Sequence, residues 1–161
     1  MLEYRSDPTV VEDLAHPVMD LEEVRGLIVR AVVSWPSKHD ERFNLLFAVV
    51  LDDIVIGDLH AWNTGETVQP ASPDPADVWI GYVLNPRYQG VGYATEAVDA
   101  LIGWLFARGA RSVFANCFLS NTASIVLLER LGFAEERRYT ASEDESGKNL
   151  ASCRLRRDRG D

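Results

Sequence analysis

The sequence predicts an α/β fold, a mixed sheet with helices packed on its faces. Three observations carry that prediction. Apolar runs of strand length alternate with segments whose apolar residues recur at helical spacing. One strand-like run passes through a glycine loop directly into a long helical segment. The 161 residues, with no repeat or low-complexity tract, suit one domain over 1–161 whose core needs neither disulfide nor metal.

Asp20-Leu21-Glu22-Glu23 has the capping-box pattern, and Val24, Leu27, Ile28 and Ala31 follow at helical spacing, so a helix is expected over 20–34, ended by Pro36. Phe43 to Leu51 is nearly continuous and apolar, the pattern of a strand buried on both faces. Asp52-Asp53 makes a turn, and Ile54 to Trp62 returns as the partner of a hairpin. Residues 63–76, with Gly65, Pro70, Pro73 and Pro75, read as a surface loop. Val78 to Leu84 is the next strand, stopped by Asn85-Pro86. Ala94, Ala97, Val98, Leu101, Ile102 and Leu105 then trace one helical face up to a stop at Gly109. Ser112 to Phe118 reads as a strand, and Asn121 to Leu131 as a short helix closed by Gly132. Strands near 133–140 and 149–156 are joined by the polar turn 142–149.

Composition narrows the function classes. Hydrophobic residues make up 47% and charged ones 25%, as in an ordinary soluble protein. No apolar run approaches the ~18–20 residues that span a bilayer. The start, Met1 to Arg5, lacks a signal-peptide layout, so the cytoplasm is expected and a membrane partner is not. The net charge of −9 argues against a nucleic-acid partner, which needs a basic patch. It fits plain solubility, or the steering of a cationic amine. Cys117 and Cys153 sit in strand-like runs without a paired cysteine nearby, as buried thiols do. His16, His39 and His60 show no metal-ligand spacing, and no metal is expected.

Chemistry enters at Arg87-Tyr88-Gln89-Gly90-Val91-Gly92-Tyr93-Ala94. A helix start offers unpaired N–H groups and a positive dipole end, and glycine lets the backbone approach an oxyanion without a Cβ in the way. A pyrophosphate is the natural guest, and a conformational turn is the plain alternative. A P-loop would need Gly-Lys-Ser/Thr where Gly92-Tyr93-Ala94 stands, and a dinucleotide fingerprint would need a third glycine at Thr95.

The stretch Asn85 to Ala97 resembles the pyrophosphate-binding motif of the GNAT-family N-acetyltransferases, in particular the branch of the ribosomal-protein N-terminal acetyltransferases. A second block, Asn121-Thr122-Ala123-Ser124 with Leu127-Leu128 and Leu131-Gly132-Phe133, resembles the family's following helix at the expected distance. The similarity spans roughly residues 4–156. It implies a mostly antiparallel twisted sheet of about six strands with helices on both faces.

It also implies acetyl-CoA as cosubstrate and a primary amine as acceptor, attacking directly in a ternary complex. The acceptor would be a protein N-terminus, which the branch favours slightly, or a small amine: an amino acid, a polyamine or an antibiotic-like compound. The amides of Gln89, Gly90, Val91, Gly92, Tyr93 and Ala94 would hold the pyrophosphate, with Arg87 either near it or packing on the surface. Tyr82, Val83 and Leu84 would pair with the pantetheine arm, and a bulge there would splay this strand from the next and expose an amide to the acetyl carbonyl. Asn121 would contact pantetheine while capping its helix. Ser124 would give a proton to the departing thiolate. Leu128 stands where many relatives have a tyrosine, which leaves Ser124 or water for that task.

For the base, the branch often has a glutamate two residues ahead of a strand glycine; here Trp79 precedes Gly81. Asp77, on the Trp79 face, and the pair Asp58 and His60 on the preceding strand are the candidates. Trp35, Trp62 and Trp79 would line the acceptor site or fill the core, and Glu143-Asp144-Glu145 would border that site or form a solvated turn. Family members open with a strand, whereas Met1 to Pro8 resembles the middle of the first helical region, so that strand is expected to be absent. The strand 43–51 would then have an open edge, covered by a partner chain as in a homodimer, by the N-terminal segment, or by nothing. Two alternatives to catalysis are a non-catalytic acyl-CoA-binding or sensing domain and, more weakly, a nucleotide-binding protein using the same loop.

Overall fold

The structure, a computed structural model, describes residues 1–14, 16–33, 42–64, 74–143 and 148–160. Two one-turn helices, α1 (Leu2–Arg5) and α2 (Pro8–Val11), precede α3 (Leu21–Val33). The start of α3 is closed as predicted: Glu23 N donates to Asp20 Oδ1 at 2.9 Å, and Asp20 N to Glu23 Oε2 at 2.8 Å. Pro36 and Trp35 lie outside the described residues.

β1 (Asn44–Leu51) and β2 (Ile54–Trp62) form a hairpin whose two linking residues, Asp52 and Asp53, both take positive φ, 47° and 63°. Aspartate tolerates that left-handed pair, which the twist of a two-residue hairpin requires. β3 (Asp77–Leu84), α4 (Tyr93–Ala107) and β4 (Ser112–Phe118) make a parallel crossover, and α5 (Thr122–Arg130) leads to β5 (Ala134–Tyr139) and β6 (Ser152–Asp158). The strands form one sheet in the order β1-β2-β3-β4-β6-β5, antiparallel at every junction except β3–β4.

α4 and α5 cover one face of the sheet, where Ile102, Leu105 and Leu128 meet Ala61, Val78, Val113 and Leu155 in the main core. Trp62, Trp79 and Phe114 cluster separately, and α3 brings Leu27 to the side of the sheet that carries Leu46, His60 and Trp62.

Two expectations need correction. The apolar run of β1 is not buried on both faces: β1 is the edge strand, Leu45 is its one fully buried residue, and Val50 is 56% exposed. The strand nearly buried throughout is β4, in the middle of the sheet. The expected bulge in β3 is also missing, since β2 and β3 pair without a register shift from Trp62↔Trp79 to Gly57↔Leu84. Register shifts lie elsewhere, between Val49 and Val50 of the β1–β2 ladder and between Glu135 and Arg137 of the β5–β6 ladder.

β3 and β4 part all the same. They pair only at Asp77↔Ser112, Val78↔Val113 and Trp79↔Phe114, so Ile80–Leu84 and Ala115–Phe118 diverge. That divergence opens the sheet where the site lies. Residues 1–8 are helical rather than strand, and among the described residues nothing pairs with the outer edge of β1.

Candidate active site

The glycine loop follows from local chemistry. Asn85 Oδ1 accepts from Arg87 N at 3.1 Å and starts a single 3-10 turn over Pro86–Tyr88. Gln89 Nε2 donates to Leu84 O at 2.9 Å, which ties the loop to the strand end. Gly90 and Gly92 take φ of 80° and 98°, a region that L side chains avoid. Gly92 is the N-cap of α4 and supplies no side-chain acceptor, so the first-turn amides of a fifteen-residue helix have no capping side chain. Arg87 does not turn into the loop: its side chain is 77% exposed and pairs with Glu3 at 3.2 Å.

A cleft of about 780 Å³ runs from this helix start between β3 and α5. Of the cofactor residues predicted from sequence, Tyr82, Val83, Leu84, Gln89, Gly90, Gly92, Ala94 and Asn121 line it, while Val91 and Tyr93 do not. Asn121 is the N-cap of α5, its Oδ1 accepting from Ser124 N at 3.0 Å. Leu128, in the place of the family tyrosine, is fully buried in the core.

A second cavity, about 390 Å³, lies on the other side of the splayed strands. Asp13, Leu14, Tyr82, Val83, Asn121 and Ser124 line both spaces, so the two meet there. Tyr82 donates its hydroxyl to Ser124 O at 3.4 Å, and burial pushes the phenol's pKa well up, so it keeps its proton.

Asp58 and His60 reach the second cavity, but neither is a free base. Asp58 is 1% exposed and is held by Arg5 at 2.5 and 3.1 Å and by the Tyr4 hydroxyl at 2.9 Å. Burial, and then the Arg5 charge, lowers the pKa of His60 to about 4, while its Nε2 is bonded to Asn44 Oδ1. Asp77 is not brought to the site: it lies at the paired end of β3, 3.7 Å from Arg111, and lines neither space. Ser124 is at the junction.

Trp62 and Trp79 are buried with Phe114 and also line the second cavity. Glu143 accepts from Thr140 N at 2.8 Å in an exposed turn; Asp144 and Glu145 lie outside the described residues. Cys117 and Cys153 are buried thiols, and burial pushes Cys117 up to about 12.

Several lining residues carried no sequence signal. Arg5, Asp13, His16 and Asn116 line the second cavity. His16 Nε2 meets Arg5 Nη1 at 2.9 Å while Nδ1 meets Pro17 O at 2.8 Å. Arg5 and Asp58 are 53 residues apart, and no local pattern joins them.

An uncapped helix start after a glycine loop thus lies beside a splayed parallel pair, along a cleft that meets a second cavity. Residues 1–134 match the sequence model of the acetyltransferase (GNAT) domain, and the chain belongs to that family, the acetyl-CoA-dependent N-acetyltransferases. The uncharacterized N-acetyltransferase YnaD of Bacillus subtilis (strain 168) is 27% identical over 138 residues, 83% of this chain and 71% of that protein. The GNAT-family acetyltransferase from Bacillus anthracis superposes with a TM-score of 0.78 at 23% identity, over 98% of this chain and 86% of that one. AAC(6')-Ib in complex with paromomycin and acetyl-CoA gives 0.76 at 19% identity, over 98% and 85%.

Proposed function

We propose that acetyl-CoA lies along the larger cleft, its pyrophosphate at the start of α4, and that its acetyl group passes to a primary amine held in the smaller cavity. The meeting of the two spaces at Ser124 and Tyr82 carries this reading. A similar fold has been solved with paromomycin and acetyl-CoA together, which supports a ternary complex.

The first-turn amides of α4 and the loop amides take the pyrophosphate. Beyond Trp79 the edge of β3 that faces β4 has no strand partner, which suits pantetheine pairing and a main-chain donor to the developing oxyanion. The amine nitrogen attacks the thioester carbonyl carbon, the C–N bond forms and the C–S bond breaks. Ser124 Oγ–H protonates the departing thiolate, and the proton shed by the attacking amine restores the hydroxyl. An acceptor that enters as an ammonium first loses one proton to solvent. His60 is a neutral wall group rather than the base.

The test is thiol release from acetyl-CoA with a panel of primary amines, alongside equilibrium binding of coenzyme A. Amine-dependent release is expected. Tight coenzyme A binding with no release on any amine would overturn catalysis in favour of a non-catalytic acyl-CoA-binding domain.

A further inference from the structure

Asp13 is the one charged residue among the six that line both spaces. It follows α2, and that segment is held in place: Lys148 donates to the carbonyls of Val11 and Glu12, and Leu14 N to Val11 O at 3.1 Å. Asp13 Oδ1 accepts from the Ser120 hydroxyl at 2.9 Å, and no cation pairs with this carboxylate among the described residues.

The rest of the acceptor cavity is nearly neutral. Arg5 and Asp58 satisfy each other at 2.5 and 3.1 Å, and burial disfavours the charged forms of His16 and His60. The walls nevertheless carry polar atoms without partners. The indole N–H groups of Trp62 and Trp79, residues 8% and 4% exposed, and the buried Oδ1 of Asn116 make no hydrogen bond among the described residues.

We propose that Asp13 is the counter-ion for the acceptor's ammonium group, and that the acceptor is a compact monoamine with an apolar or aromatic body. This rests on the acetyltransferase reading and narrows it. The carboxylate stands on the seam, so an ammonium bound to it is placed beside the acetyl end of the cleft. A cavity of about 390 Å³ holds a body of drug size or smaller. Among the described residues that line this cavity, Asp13 is the one carboxylate without a paired cation, so the further charges of a polycation find no second such partner there.

Tyramine is a suitable probe, with spermidine and an alanyl tripeptide as comparators. Binding is measured by calorimetry on the whole protein saturated with coenzyme A, and thiol release separately. Tyramine is expected to bind more tightly than spermidine or the tripeptide. Asp13→Asn is expected to weaken tyramine binding to the coenzyme A-saturated protein by about tenfold or more, and Asp13→Glu to restore part of it. An unchanged tyramine Kd in D13N, no tyramine binding to the wild type, or a preference for spermidine or the tripeptide overturns the proposal. Tyramine binding lost in D13N without thiol release in the wild type upholds the Asp13 contact and overturns the catalytic reading instead.

Discussion

At the scale of single residues, the groups that look like acids or bases in the sequence are separated by what surrounds them. Asp58 neutralises Arg5, both being under 10% exposed, and Tyr4 completes the set. Asp58→Asn leaves the guanidinium buried without its anion, and a loss of about 3–5 kcal/mol of stability is expected. Urea unfolding measures it; a loss below ~1 kcal/mol would show the pair to be dispensable. Ser124 offers a sharper functional test because its neighbour Tyr82 also carries a protonated hydroxyl. Ser124→Ala is expected to lower kcat by roughly ten- to a hundredfold with coenzyme A affinity unchanged, and Tyr82→Phe by less. The reverse order would assign the proton to Tyr82. Asn121 was legible in the sequence because its cap reaches only three residues along the chain. The Arg5–Asp58 pair was not, because the fold alone joins α1 to β2. Asp77 was misplaced because strand period assigns a face and not a distance: it shares the side of Trp79, but at the end where β3 and β4 still pair.

At the scale of elements, the helices could be read because their start signals are local, whereas strand order is tertiary. The capping box of α3 forms as its four residues predict. Asp20→Ala is expected to cost about 1 kcal/mol, seen as a lower Tm, and no change in Tm would mean the cap is redundant. The continuous apolar run of β1 suggested burial on both faces, yet nothing in those residues says what packs against each face. The opening of the site was expected from a bulge in β3 and comes instead from the short β3–β4 pairing. Gly57 matters to that geometry. A Cβ there would stand 2.6 Å from Val83 O, so Gly57→Ala must push β2 away from the strand that lines both spaces. Overpacking of this kind is expected to cost about 1–3 kcal/mol and to weaken coenzyme A binding. A stable G57A protein with wild-type affinity would show that the two strands shift without disturbing the cleft.

At the scale of the whole molecule, the buried imidazoles set the response to acid. Folding lowers the pKa of His60 to about 4, through burial first and Arg5 second, against an opposing pull from Asp58. His16 shifts the same way, mainly through burial. An unfolded histidine titrates near ~6.5, so between about 6.5 and 4 the unfolded chain binds protons that the folded chain refuses. Stability is therefore full above that window and falls as pH drops through it, by about 3 kcal/mol for His60 alone. Tyr82 and Cys117, which face the same cavity, are pushed upward and stay protonated throughout. Asp74, Glu135, Glu143 and Asp158 have lowered pKa values, so their contributions are lost at more acid pH than an ordinary carboxylate's. Urea midpoints are expected to hold steady above about pH 7 and to fall toward pH 5, and His60→Asn should flatten most of that fall. If H60N keeps the wild-type slope, the acid sensitivity in that window belongs to His16, and the neutral wall assigned to His60 loses its support.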